Sequence, residues 1–307
     1  VIDWLMPAIV PARAPIHIVP MDAPNPSALP TFANRTPLRI GAVSLVVRDI
    51  DKVATYYKQL LGLAEIGRTP TGVKLGAGGV PFLELEHRPD AKPDSTRQAG
   101  LFHTAFLMPT RADLARWILQ VSRSRTPVTG ASDHGVSEAF YLDDPEGNGI
   151  EVYVDRAPEK WAWQDNRVTM TTVALDVEDL VQEVEPAATY EAAPNGLRIG
   201  HIHLRVGDLA KSRAFYTGAI GLEVTRERDD GAAFLSSGHY HHHIGTNIWR
   251  SRGAGPRDPD RAGLNWFAFE AADDAARDAL CARLQKAGAP LDETPQGAET
   301  SDPFGNR

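Results

Sequence analysis

From Ile40 the chain reads IGAVSLVV and then RDIDKVATYYKQLLGL, a short alternating run followed by a helical one. In the second part Ile50, Val53, Ala54, Tyr57 and Leu61 recur at helix spacing. Asp49 stands where an N-cap belongs and Gly62 where a C-terminal cap belongs. The same strand-then-helix pattern returns at Ile199 as IGHIHLRVGDLAKSRAFYTGAIGL, with Asp208 and Gly221 at the two caps and a constant offset of 159 residues. Two further units follow the same plan. GLFHTAFLM, from Gly100, precedes a helix around Ala112 to Val121 and ends in YLDDPEGNGIEVYV; GLNWFAFE, from Gly263, precedes a helix around Asp274 to Ala287 and ends in SDPFGN. Between each helix and its ending lie short alternating runs punctuated by Gly and Pro, which read as strands.

An internal repeat at this period decides the architecture before any other feature does. It predicts an α+β protein of four strand-helix-strand-strand-strand modules, at roughly 38–88, 99–155, 197–250 and 260–307. Grouped along the chain, residues 1–37 form an irregular N-terminal extension and 38–155 hold modules one and two. Residues 156–196 form a connector in which VALDVEDLVQEV is expected to make one short helix, and 197–307 hold modules three and four. The chain stops at SDPFGNR, so module four lacks the closing strand that the pattern demands and reads as truncated.

Composition narrows the class of protein. The 307 residues, 42% of them hydrophobic, suffice for two ordinary cores. With 32 basic against 40 acidic residues and a formal net charge of −8, the surface is wrong for a sequence-independent nucleic-acid binder. No apolar run approaches the length of a membrane helix. The single cysteine, Cys281, excludes an internal disulfide framework and suits a reducing, cytoplasmic compartment. The first 20 residues are apolar but carry Asp3 and several prolines without a basic leader, a poor signal peptide; Met21 is the expected start. Association into a homo-oligomer is left open.

Four modules whose strands open with HIHLRVGD and close in DPEGNGIE resemble the vicinal-oxygen-chelate superfamily of glyoxalases, bleomycin-resistance proteins and extradiol dioxygenases. The resemblance covers about 38–307 and implies modules paired into incomplete barrels around a metal or ligand. It places ligands on the first strand of a module and on its last. The first-strand positions here are Ala42, His103, His201 and Trp266, and the last-strand acid is Glu151. Modules two and three therefore offer two imidazoles and one carboxylate, while one and four offer none. They must face each other to assemble the set. His103, Glu151 and His201 have the composition of a facial triad for non-haem Fe(II), and Mn(II) would take the same ligands. His203, two residues from His201 on the same strand face, is a rival ligand.

A second signature is more specific. DHGVSEAFYLDDPEGNGIE resembles the extradiol dioxygenase pattern, with His134, Tyr141, Asp144-Pro145, Gly147 and Glu151 in its places and Ser132 as a departure from it. The resemblance implies that Tyr141 hydrogen-bonds a substrate oxygen and that His134 bonds the other hydroxyl or lines the pocket. GHYHHHIGTNIW matches the strand on which such enzymes carry a His pair, one member acting as acid-base. Alternation puts His241 and His243 on one face and His242 on the other; His243 is the expected acid-base residue, with His241 next. The implied activity is meta cleavage of catechol or a substituted catechol by O2. The alternatives are a glyoxalase-type isomerase, which ordinarily uses a second carboxylate, and a non-catalytic binding protein.

Overall fold

A computed structural model describes residues 17–19, 31–294 and 297–307. Apart from β1 (His17–Val19) and a 3-10 turn at Ala33–Arg35, the expected irregular extension mostly lies outside them. Module one comprises β2 (Leu38–Val47), α1 (Ile50–Leu61), β3 (Ala64–Thr69), β4 (Gly72–Ala77) and β5 (Val80–His87). Module two comprises β6 (Gly100–Leu107), α2 (Arg111–Ser124), β7 (Gly130–Asp133), β8 (Ser137–Asp143) and β9 (Gly149–Asp155). The connector holds the short strands β10 (Trp163–Gln164) and β11 (Arg167–Val168) and the helix α3 (Val177–Val181). Module three follows with β12 (Arg198–Arg205), α4 (Leu209–Ala214), a wider π turn over Phe215–Ile220, β13 (Glu223–Arg228), β14 (Ala232–Ser236) and β15 (Ile244–Asn247). Module four has β16 (Gly263–Ala271), α5 (Asp274–Lys286), β17 (Asp292–Thr294) and β18 (Gly297–Glu299).

The helices start where the sequence supplies caps. Asp49 accepts from the Lys52 amide, Thr110 from Asp113, Asp208 from Lys211 and Asp273 from Ala276, so each first turn has a side-chain acceptor for an otherwise unpaired N–H. Gly62 and Gly221 end the helical segments of modules one and three at φ 66° and 89°, where a side chain would be strained.

Two eight-stranded mixed sheets result, the α+β vicinal-oxygen-chelate fold. One runs β13-β14-β15-β12-β6-β9-β8-β7, uniting modules three and two; the other runs β17-β18-β1-β16-β2-β5-β4-β3, uniting four and one. Modules one and two thus lie in different sheets, as do three and four, while two and three share one. The antiparallel pairs β6–β12 and β2–β16 are the central joints. The two sheets and the helices share one large core, including Leu61, Phe106, Trp117, Ile202 and Phe267.

The structure fills the closing-strand position of module four from the other end of the chain. In the first sheet β9 lies parallel to β6, with Glu151 against Ala105 and Val152 against Phe106. In the second, β1 lies parallel to β16, with His17 against Ala268 and Ile18 against Phe269. These are equivalent positions, since β16 follows β6 at an offset of 163 residues (Gly100 and Gly263). The outer neighbour matches as well: Val152 faces Phe140 as Ile18 faces Ala298. Arg307 begins the same line, its carbonyl accepting from the Phe267 amide at 2.7 Å. Deleting residues 1–20 should therefore lower Tm by a few degrees and accelerate amide exchange along 268–270 of β16. Unchanged Tm and exchange would show that β1 contributes nothing to this sheet.

Candidate metal centre

On the site sheet three residues stand in one row: Glu151 on β9, Ala105 on β6 and His201 on β12. His103 lies two residues along β6 from Ala105, hence on the same face. Two strand spacings, about 10 Å, separate the backbones at Glu151 and His201, yet His201 Nε2 and Glu151 Oε2 meet at 3.1 Å. They meet above Ala105, whose methyl group leaves the space open. His103 Nε2 lies 3.0 Å from the same carboxylate oxygen. All three side chains are buried, at 6%, 3% and 1% exposure for His103, Glu151 and His201. Register shifts interrupt β12 between Ile199 and His201 and between His203 and Leu204. Gly200 sits in the first of these, where a Cβ would run into the Tyr153 hydroxyl.

The electrostatics suit a cation. Burial lowers the His201 pKa to about 4, leaving a neutral imidazole with a lone pair. Burial alone would raise the Glu151 carboxyl, but the adjoining His201 and His103 rings hold it well below the usual range. His103 Nε2 has no hydrogen bond although it is buried 3.0 Å from a carboxylate oxygen. A buried polar atom so placed is costly unless something else binds it. Two imidazole nitrogens and a carboxylate oxygen converging within 4.8 Å fit a divalent metal, and this is the group of that kind found among the described residues. The equivalent positions of the other sheet carry Ala42 and Trp266.

A cavity of about 320 Å³ opens over the triad. Tyr141 and His134 line it together. His134 Nδ1 lies 2.8 Å from the Thr171 carbonyl, so Nδ1 carries the proton and Nε2 accepts from the Tyr141 hydroxyl at 2.6 Å. Burial raises the Tyr141 pKa well above its usual value, keeping the phenol protonated.

The histidine run turns His242, not the expected His243 or His241, to the cavity. His242 lines the cavity, whereas His241 and His243 do not. The expected separation of His242 from its two neighbours is present, but the other side meets the cavity; the three residues precede β15, which starts at Ile244, in irregular backbone. His243 is turned away, with Nδ1 accepting from the Ser237 amide at 3.3 Å and Nε2 3.2 Å from the Ala33 carbonyl. Burial pushes its pKa to about 3. His241 Nε2 bonds Asp155 Oδ1 at 2.8 Å, and its Nδ1 meets His242 Nδ1 at 2.8 Å. Asp155 thus fixes the His241 proton on Nε2, His242 donates from Nδ1, and Nε2 of His242 keeps its lone pair. His203 also lines the cavity but pairs with Asn247 Nδ2 at 3.1 Å, opposite His103 in the ladder.

Sequence reasoning missed His242, the connector residues Met170–Thr172, and the aromatic wall of Phe102, Phe234 and Trp249. Connector residues had no chemical signal. They reach the cavity because Val173 bridges to Asp133 beyond β7.

The fold and this donor set define a member of a metal-centred module family, and the comparisons agree. The family model described as Glyoxalase/Bleomycin resistance protein/Dioxygenase superfamily matches residues 39–152 and 198–307, and the chain belongs to that superfamily. A catechol-2,3-dioxygenase of Bacillus subtilis (strain 168) is 35% identical over 268 residues, 86% of this chain and 93% of that protein. A biphenyl-2,3-diol 1,2-dioxygenase 3 of Rhodococcus globerulus is 42% identical over 60 residues, 18% of this chain and 30% of that one. Glyoxalase I from Zea mays shares the fold, with TM-score 0.54, 17% identity and coverage of 90% and 92% of the two chains. Similarity to named dioxygenases marks the chain as a dioxygenase-like enzyme.

Ala105→Leu should abolish metal binding while leaving the sheet folded, because three added carbons would fill the space above Ala105. Metal analysis after reconstitution would fall from near one ion per chain to near none, as it should for Glu151→Ala. Full occupancy in the Leu variant would mean that the ion sits elsewhere.

Proposed function

We propose that the protein cleaves the ring of a catechol adjacent to its two hydroxyls, using O2 and a divalent metal held by His103, Glu151 and His201. The observation that carries this reading is the joining of that triad to the Tyr141–His134 pair in one cavity. When bound, Fe(II) supplies chelation of the diol and the redox link between ring and O2, and Mn(II) would accept the same donors.

The side chains have separable tasks. His242, neutral because burial depresses its pKa, takes a hydroxyl proton at Nε2 as the diol enters and later returns it. His241 and Asp155 hold the tautomer that makes this possible. Tyr141, with its own proton committed to His134, offers an oxygen lone pair to the second hydroxyl. Phe102 and Trp249, with ring centroids 5.3 Å apart and 38% and 44% exposed, flank the mouth and cover an aromatic ring once it is seated. Glyoxalase-type isomerisation would call for a second carboxylate, and Glu151 is the one acid that lines this cavity among the described residues.

Reconstitution with Fe(II) under anaerobic conditions, then addition of catechol and air, should give the yellow ring-opened semialdehyde. The colour should fail without iron and in His201→Ala. Bound metal with no colour from catechol or its substituted relatives would overturn the reading in favour of isomerisation, and absence of metal binding would favour a non-catalytic binder. Within the active enzyme, His242→Gln should cut kcat by about a hundredfold to ten-thousandfold with metal content retained. His243→Gln should act mainly on Tm. The opposite ranking would return the acid-base role to His243.

A further inference from the structure

The geometry points to a catechol bearing an anionic side arm as the preferred substrate, with Arg226 as the residue that selects it. This inference rests on the ring-cleavage reading for the diol end of the site, and concerns the other end.

Two arginines line the cavity, and they are not equivalent. Arg228 is spent: its guanidinium makes three contacts of 2.6–3.2 Å with Asp230 and a further one of 3.3 Å with Thr172 Oγ1. Arg226 lines the same cavity, forms no ion pair among the described residues, and its Nε is buried without a hydrogen-bond partner. An N–H so placed is destabilising if nothing ever accepts from it. Nothing among the described residues does so, since the one carboxylate they place on the cavity wall, Glu151, is committed to the triad. A ligand acceptor satisfies it, and a carboxylate matches the planar fork of donors best.

Position supports the same conclusion. Arg226 sits on β13 next to a register shift between Val224 and Arg226, an irregularity of the kind that re-aims side chains. Its backbone pairs with Phe234, whose ring also lines the cavity. Strand β13 lies at the sheet edge, three strands from β12 and His201, or about 14 Å along the sheet. Tyr141 and His134 belong to the opposite wing, on and beside β7 and β8. A diol engaged at the triad therefore points its far side toward Arg226 across an aromatic wall, and a short acidic arm spans what remains.

The test compares a carboxymethyl-catechol and its methyl counterpart, each substituted para to one hydroxyl, on the metal-loaded enzyme. Wild-type kcat/KM should favour the carboxymethyl compound, and Arg226→Gln should lower that ratio at least about tenfold, mostly through KM. Arg226→Lys should restore part of it. A ratio that Arg226→Gln leaves unchanged, or a wild-type preference for the methyl compound, would overturn the inference. Anaerobic binding isotherms for both compounds separate it from the ring-cleavage reading. Arg226-dependent preference in binding without turnover of either compound would sink ring cleavage and keep the anion site. Turnover of both without preference would do the reverse.

Discussion

Everything at this site depends on the register of β6 against β12. That antiparallel joint sets Ala105 between Glu151 and His201 in one row and brings His103 onto the same face. Because side chains alternate, a slip of one residue in either strand would send a ligand into the core and leave a core residue in the cavity. The convex face is paved with Phe106, Val152 and Ile202, so such a slip would also bury imidazole among hydrocarbon. Hydrophobic burial and metal geometry thus specify the same register. The shift at Gly200 is part of that specification, since it lets β12 pass over the Tyr153 hydroxyl and still deliver His201.

The silent sheet has a part in this. Asp144, which opens the turn before β9, accepts from the amides of Glu146 and Asn148 and from the Asn148 side chain, and faces the Tyr57 hydroxyl of α1 at 3.5 Å. Module one therefore braces the turn that aims Glu151, although it offers no ligand. The same arrangement recurs in the other half, where Asp302 accepts from Phe304, Asn306 and the Tyr216 hydroxyl. There it supports a line of pairing that leads to β1, and among the described residues no group of metal donors stands on it. The duplicated brace ties turn to helix in both halves through side chains that are not metal donors.

How much of this was legible beforehand follows from what each signal measures. The caps and the repeat are local patterns with fixed spacing, and Asp49 and Gly62 could be placed by counting, whereas His103, Glu151 and His201 were named only through the resemblance to the superfamily. The pairing of module two with module three followed from the distribution of candidate ligands, and the sheet order matches it. The histidine run misled because alternation separates His242 from His241 and His243 without saying which side meets the cavity, and the three lie ahead of β15. The exchange of β1 into module four was invisible, since a three-residue strand carries too little periodicity to announce its partner. Arg226 gave no sign in the sequence; an arginine in a strand normally reads as a solvated charge, and only the cavity and its missing partner say otherwise.

The buried charge at the triad ties stability to chemistry. A carboxylate only 3% exposed is costly to bury, and burial also lowers the pKa of His201 beside it. A divalent cation removes that penalty by binding all three donors at once, so the same desolvation that weakens the empty centre strengthens the loaded one. The proton chain from Asp155 through His241 to His242 lies beside this centre but uses none of its donor atoms. In the proposed reaction, metal and proton would consequently be carried by different atoms of neighbouring rings, His201 and His242 being 4.1 Å apart between centroids. That separation leaves Nε2 of His242 outside the donor set and open to an incoming hydroxyl, whose acidity a bound cation would raise.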